Sequence, residues 1–122
     1  MRPSFQADAD FNKKIIAGLR RREPAIRFRT AVEGKVVGRP DPEVLAIAAR
    51  EDRILVSHDR RTMPAHFAHF IQHQASPGLI IVEQDFAIGA AIEQLLLIWA
   101  ASDHADWEDT IGYIPMWHQT VN

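Results

Sequence analysis

The sequence predicts a single α/β domain in which a mostly parallel sheet lies between two layers of helices. Short apolar runs that suit buried strands alternate with stretches in which apolar residues recur at helical spacing. This alternation is typical of a three-layer α/β/α sandwich, because right-handed crossovers place helices on both faces of the sheet. A chain of 122 residues, 47% of them hydrophobic, suits one domain over 1–122 with one core.

The first half of the chain begins with a short strand predicted over residues 5–9. Apolar residues at helical spacing then predict a helix that ends near Arg22, and Pro24 prevents its continuation. Alternating apolar and arginine residues predict a second, half-exposed strand over 25–31. Two glycines in 33–39 indicate a loop.

The second half begins with a helix start at Asp41, which we expect to be the N-cap before Pro42 at the first helical position. This helix is predicted to end near Asp52. The remaining predicted elements are a buried strand over 54–57, a helix that opens at 62–64, a buried strand over 79–82, a helix with apolar period over 88–99, and a last strand over 107–114.

Composition excludes several classes of protein. A net charge of −2 differs from the strongly basic footprint of a protein coated in nucleic acid. Cysteine is absent, so disulfides and thiolate metal sites are excluded. No apolar stretch reaches the roughly 20 residues that a membrane span needs, and the first residues do not resemble a signal peptide. We therefore expect a cytoplasmic protein that does not contact membranes.

Acidic residues lie in three short motifs near the ends of predicted elements. Asp8 lies at the end of the first predicted strand and Asp10 just after it, Asp41 and Glu43 open a helix, and Asp59 follows the buried strand over 54–57. Carboxylates at the carboxyl edge of a parallel sheet repel one another, and a cation usually compensates them. All five are therefore candidate ligands of a divalent metal, provided that the first and third strands are close in the sheet.

Each acidic residue also has a structural explanation, which the sequence leaves open. Asp8 could bond its own backbone in a turn, and Asp10 and Asp41 could be helix N-caps. Glu43 would be stabilised by the helix dipole in any case. Asp59, directly after a buried strand, is the candidate with the strongest functional interpretation.

The ligand types favour Mg²⁺ or Mn²⁺ and phosphate chemistry. These ions take oxygen ligands and often bind through one or two carboxylates with waters and phosphate. Arg60 and Arg61 follow Asp59 and could hold a substrate phosphate, or be ordinary loop charges. His58 is expected to be packed or solvated, and the histidines at helical spacing are expected to form a solvated stripe, namely His66, His69 and His73.

Three segments together resemble the small bacterial PIN-like proteins, relatives of the toxin ribonucleases of toxin–antitoxin pairs. These segments are Asp8-Ala9-Asp10, residues 41–45 with 48–51, and residues 53–59, and the similarity covers nearly the whole chain, from about residue 5 to 115. The resemblance implies a three-layer fold, a Mg²⁺ or Mn²⁺ site, RNA as substrate and an antitoxin-type protein partner. It also implies that Asp8, Asp41 or Glu43, and Asp59 hold ions that activate water for attack on a phosphodiester.

One departure from the family pattern leaves two other interpretations open. A further acid usually follows the position of Asp59, whereas this chain has Arg60-Arg61-Thr62-Met63, and only Glu83 or Asp85 could substitute. The chain could therefore be a module that binds RNA or a partner protein without catalysis. A phosphoacceptor signalling domain is disfavoured, because a hydroxyl residue after the fourth strand and a lysine after the fifth are missing.

Large aromatic residues are concentrated late in the chain, at Trp99, Trp107, Tyr113 and Trp117. Core packing or a homodimer contact explains them at least as well as base stacking does.

Overall fold

The computed structural model describes residues 1–115, which form one sheet of five parallel strands flanked by helices. This confirms the predicted three-layer α/β/α sandwich. The elements are β1 (Ser4–Ala7), α1 (Lys13–Arg22), β2 (Arg27–Arg29), α2 (Ala31–Gly34), α3 (Asp41–Arg50), β3 (Ile54–Ser57), α4 (Met63–Phe70), β4 (Leu79–Val82), α5 (Ile88–Ala101), a 3₁₀ helix (His104–Trp107) and β5 (Ile111–Ile114). None of these helices is long and apolar enough to span a membrane.

The strand order β2-β1-β3-β4-β5 puts β1 beside β3, as convergence of the acidic motifs requires. Phe5 of β1 is in register with Phe28 of β2 on one side and with Ile54 of β3 on the other. The chain order reverses between β1 and β3, and ligands of open α/β sheets bind beyond the carboxyl ends of strands at such a reversal. The candidate site is therefore expected beyond Ala7 and Ser57.

Alternate side chains of the strands pack into two apolar clusters, one on each face of the sheet. Phe5, Ile54 and Ile80 pack toward α1 and α5 on one face. Leu55 and Leu79 pack toward α3 and α4 on the other. Every residue of β3 and β4 is buried, which explains why both strands are continuous apolar runs in the sequence.

A buried glutamine supports α2 on the second face. Gln6 donates through Nε2 to the carbonyls of Ala7, at 2.8 Å, and Thr30, at 3.1 Å. Thr30 also caps α2, since its hydroxyl accepts from the Glu33 amide and the Glu33 carboxylate accepts from the Thr30 amide. A Cβ at Gly34 would lie 2.0 Å from Gln6 Oε1, so only glycine fits there without displacing Gln6.

Several predicted boundaries are wrong. Part of the loop expected over 33–39 belongs to α2. β2 covers 27–29 rather than 25–31, and Arg27 is exposed on this edge strand. Asn12, whose side chain accepts from the Lys14 amide, is the N-cap of α1 in place of Asp10. Asp41 is the first residue of α3 rather than its N-cap, a position that Pro40 occupies.

Trp99 and Trp107 pack at the margins of the first cluster, whereas Tyr113 packs against the second. The Trp99 ring lies 4.5 Å below the Arg2 guanidinium. Trp107 donates from Nε1 to the Ser102 hydroxyl at 3.0 Å, ahead of β5, which begins at 111 rather than 107. Trp117 lies outside the described residues, as does the end of the predicted domain.

Candidate metal centre

An open cleft of about 610 Å³ lies beyond the carboxyl ends of β1 and β3. Its lining includes four of the five acidic residues that the sequence analysis selects, namely Asp8, Asp10, Asp41 and Asp59. They come from the loop after β1, the first residue of α3 and the loop after β3. The strand order thus brings three motifs that are far apart in sequence to one edge of the sheet.

Asp8 is the most buried of these acids. Its Oδ2 accepts from the Ser57 hydroxyl at 2.7 Å, and its Oδ1 accepts from the Ala9 amide at 2.8 Å. Burial raises the pKa of Asp8, these two hydrogen bonds oppose the rise, and the charges of Asp41 and Asp10 add to it. A partly desolvated carboxylate near like charges favours a proton or a cation, which is the electrostatic condition for a metal site.

Asp59 organises the turn that leads into α4. Its Oδ1 accepts from the amides of Arg61, at 3.0 Å, and Thr62, at 2.9 Å, and its Oδ2 accepts from the Thr62 hydroxyl. The hydroxyl bond is the main reason that the pKa of Asp59 is lowered, with the two amides adding to the effect. Each carboxylate oxygen has two lone pairs, so the turn and a ligand can share this side chain.

Asp10 and Asp41 are less constrained. Asp10 is exposed, while Asp41 is half-buried with its Oδ2 3.7 Å from His66 Nε2. Asp41 lies in the first turn of α3, where the helix dipole stabilises a negative charge. Both carboxylates are therefore accessible to an ion near Asp8.

Glu43 is exposed, and it does not belong to the cleft lining that residues 1–115 form. Residues two apart on a helix are separated by about 200° around its axis, so Asp41 and Glu43 cannot face the same cleft. Glu43 instead pairs with Arg39, with its Oε1 3.3 Å from Nη1.

Arg60 and Arg61 are likewise outside the lining formed by residues 1–115. Arg60 lies 3.7 Å from Glu83, between Nη1 and Oε1, in a small neighbouring recess. The cation that lines the cleft is Arg39, which the sequence analysis did not select. Its position two residues before Asp41 is the signal that could have indicated it.

Gln84 lines the cleft at the end of β4, between the two acids considered as substitutes for the missing carboxylate. Neither Glu83 nor Asp85 belongs to this lining in the described part of the chain. At this edge of the cleft the lining therefore carries the Gln84 amide rather than a carboxylate.

His58 is a packed residue of the cleft wall. Its Nδ1 lies 2.8 Å from the Val82 carbonyl, its Nε2 accepts from the Asn12 amide at 3.2 Å, and its ring stacks on Phe11. Both ring nitrogens thus have partners within the protein.

The donor set fits a hard divalent cation better than zinc. Among residues 1–115, no three side chains of histidine, cysteine, aspartate or glutamate already converge as a preformed metal group. Mg²⁺ commonly binds through one or two carboxylates and retains several waters. The residues that could hold such an ion are Asp8 together with Asp41 and Asp10, whose charges add to the rise in its pKa.

Comparisons of this chain with family models, with curated proteins and with solved structures found no match. The PIN-like resemblance of the motifs therefore stays a prediction. The fold class and the four-carboxylate cleft are the two findings on which a functional proposal can be based.

Proposed function

We propose that this protein is a Mg²⁺- or Mn²⁺-dependent ribonuclease of the PIN-like type, acting as the toxin of a toxin–antitoxin pair in the cytoplasm. The observation that supports the proposal is the gathering of Asp8, Asp10, Asp41 and Asp59 around one open cleft at the reversal of strand order. An open acidic cleft suits a long substrate whose phosphates approach together with a cation.

In this proposal Asp8 is the central metal ligand, and Asp10, Asp41 and Asp59 complete the oxygen donors. An ion held by these residues would lower the pKa of a bound water and would stabilise negative charge on the phosphodiester. Arg39 is oriented by Glu43 and pairs with a substrate phosphate, which gives Glu43 an indirect role in catalysis. Arg60 and Arg61 would contact phosphates further along the strand.

The first test is calorimetric titration of Mn²⁺ into the wild type and into Asp8→Asn, Asp59→Asn and the double variant. Glu108→Gln is the matched control, because this exposed carboxylate lies outside the cleft lining. We expect the double variant to lose binding and the control to keep it. Folding of each variant is checked by circular dichroism.

The second test is cleavage of fluorescent single-stranded RNA in Mn²⁺ by the same proteins. We expect cleavage by the wild type and by Glu108→Gln, and a loss of at least about a hundredfold in Asp8→Asn, the scale of a lost electrostatic contribution to catalysis. Unchanged metal affinity and cleavage in the double variant would refute the proposal.

A second candidate is a PIN-like module that binds RNA or a partner protein without cutting RNA. Two observations favour it: Asp59 already accepts three hydrogen bonds from its own turn, and residues 60–63, where the PIN-like pattern has a further acid, contain none. Salt-dependent RNA binding by wild type, with no cleavage in Mn²⁺, would support this module over the nuclease.

A further inference from the structure

A second opening adjoins the acidic cleft and differs from it in chemistry. This apolar groove, of about 500 Å³, lies between α1 and the α2 region and is lined by side chains that include Ile16, Ala17, Ala31, Val32 and Val37. Its size lies within the range of pockets that bind small molecules, which are lined mainly by apolar groups.

The groove and the cleft are continuous, since Asp8 and Ala9 line both. A molecule held at Asp8 could therefore extend directly into the groove. The proposed function gives the groove no role.

Two valines make the groove an unpaired apolar surface. Val32 is 72% exposed and Val37 is 58% exposed, and they are two of the four large hydrophobic residues that are exposed in the described part of the chain. The other two, Met1 and Leu97, do not belong to its lining. Exposed apolar side chains gathered around a concave surface indicate a binding function more strongly than scattered ones do.

The rim of the groove is cationic. Lys13 is exposed and makes no ion pair with any described residue. Arg20 is held in place, because it donates to the Phe28 carbonyl and to Glu33 Oε1, the latter at 2.6 Å. A groove with apolar walls and a cationic rim complements a base together with its phosphates.

We propose that this apolar groove receives one nucleobase of a single-stranded RNA whose neighbouring phosphate lies in the acidic cleft, an inference that rests on the proposed ribonuclease function. The cleft lining carries four carboxylates against Arg39, so without a cation it repels a phosphate strand. Burial of a base in the groove supplies a non-electrostatic contribution to binding, and Lys13 attracts the adjoining phosphate. The apolar walls should discriminate weakly among bases.

A basic peptide is the other occupant that an acidic cleft could attract. Lys13 would repel such a peptide at the rim, whereas it attracts a phosphate; the charge of Arg20 is compensated by Glu33. The charge of the rim therefore favours the nucleic acid.

The inference is tested by NMR of valine methyl groups while AMP is added in the presence of Mg²⁺. Ribose 5-phosphate, which has the sugar and phosphate without the base, is the control ligand. We expect AMP to shift the Val32 and Val37 methyl signals and ribose 5-phosphate to leave them unchanged. In Val32→Ser/Val37→Ser, the Kd for AMP should rise about fivefold, because apolar contact area is lost.

Leu97→Ser is the matched control variant, because Leu97 is similarly exposed, at 56%, and lies outside the groove lining. The Leu97→Ser variant should bind AMP with the same Kd as the wild type. Equal shifts with both ligands, or no shift at either valine, would overturn the inference.

Other outcomes separate this inference from the nuclease proposal. AMP binding at the valines in a protein that cuts no RNA would support the base site while contradicting the nuclease. Shifts at the valines with an arginine-rich apolar peptide and none with AMP would overturn the base site in favour of a protein partner. A dimer that the double valine variant dissociates in light scattering would overturn it in favour of a second copy.

Discussion

The Ser57 hydroxyl donates to Asp8 Oδ2 at 2.7 Å and thereby joins the end of β3 to the end of β1 at the floor of the cleft. Ser57 Oγ also accepts a hydrogen bond from the Asp59 amide, at 3.0 Å. Ser57 is only 1% exposed, so water cannot replace these bonds without rearrangement. One buried hydroxyl therefore positions both acids that follow the two central strands.

Replacement of Ser57 by alanine should impair both stability and metal binding. The variant leaves Asp8 Oδ2 and the Asp59 amide without their partner, which we expect to cost about 1–3 kcal/mol of unfolding free energy. Urea denaturation measures this loss, and Mn²⁺ calorimetry measures the accompanying fall in affinity.

Ser102→Ala is the control for this prediction. The Ser102 hydroxyl also makes two hydrogen bonds, to the Ile98 carbonyl and from Trp107 Nε1, but lies outside the cleft lining. The Ser102→Ala variant should therefore lose stability but keep its affinity for Mn²⁺. Equal loss of Mn²⁺ affinity in both serine variants would show that Ser57 has no special role in the cleft.

Asp8→Asn should stabilise the metal-free protein at neutral pH. Burial raises the folded pKa of Asp8 above its ordinary value of 3.8, so the folded state binds more protons than the unfolded state between those two values. The contribution of Asp8 to stability is therefore fully present below the unfolded pKa and is lost as pH rises through the folded pKa. Urea denaturation of both proteins across acidic to neutral pH, in chelator, measures the difference.

The stabilisation by Asp8→Asn should disappear at acidic pH and reverse when Mn²⁺ is added, because only the wild type gains binding free energy. A variant that is less stable than the wild type at neutral pH in chelator would contradict the inferred electrostatic strain.

Gly34→Ala should destabilise the protein although alanine favours helices. The new Cβ would lie 2.0 Å from Oε1 and 2.5 Å from Cδ of the buried Gln6, so the glutamine must move and break its bonds to Ala7 and Thr30. Overpacking of this kind typically costs about 1–3 kcal/mol. Thermal and urea denaturation measure the change.

Gly89→Ala is the matched control for Gly34→Ala. Gly89 is an exposed residue of α5, and its Cβ would meet no atom within 4 Å. Alanine there should stabilise the protein by about 0.5–1 kcal/mol through its lower conformational entropy cost. Equal effects at both glycines would mean that the contact with Gln6 does not restrict residue 34.

His58 and His104 should be opposite tautomers. His58 Nδ1 faces the Val82 carbonyl and must donate, while its Nε2 accepts from the Asn12 amide. His104 Nδ1 accepts from the Ser4 amide, and its Nε2 donates to Asp52 Oδ1 at 3.0 Å. Nitrogen-15 NMR at neutral pH distinguishes the two forms, and the same tautomer in both residues would contradict these hydrogen-bond assignments.

The sequence predicts the layers and the position of the acids well, because both depend on short-range patterns. The runs that form β3 and β4 are continuous apolar segments, Asp8 directly follows β1, and Asp59 lies two residues after β3. The four-residue α2 is too short for helical periodicity, although Thr30 and Glu33 carry a capping-box pattern. This capping-box pattern is the local signal that indicates α2.

The entry of Arg39 into the cleft depends on the path of the loop between α2 and α3, which tertiary packing determines. Asp41 lines the cleft, but the sequence could not show which of Asp41 and Glu43 would face it. That choice depends on the rotation of α3 about its axis against the sheet. Such side-chain directions follow from packing between elements distant in sequence, which no local pattern encodes.

The short edge strand β2 also affects how copies of this protein meet one another. An open strand edge can add a strand from a second chain and so begin polymerisation. β2 offers only three residues, and its Arg27 and Arg29 are close enough to Arg53 to help burial lower the pKa of that guanidinium. Two such edges brought together would crowd arginines from both copies, so this margin of the sheet resists self-templated growth, most effectively at low ionic strength.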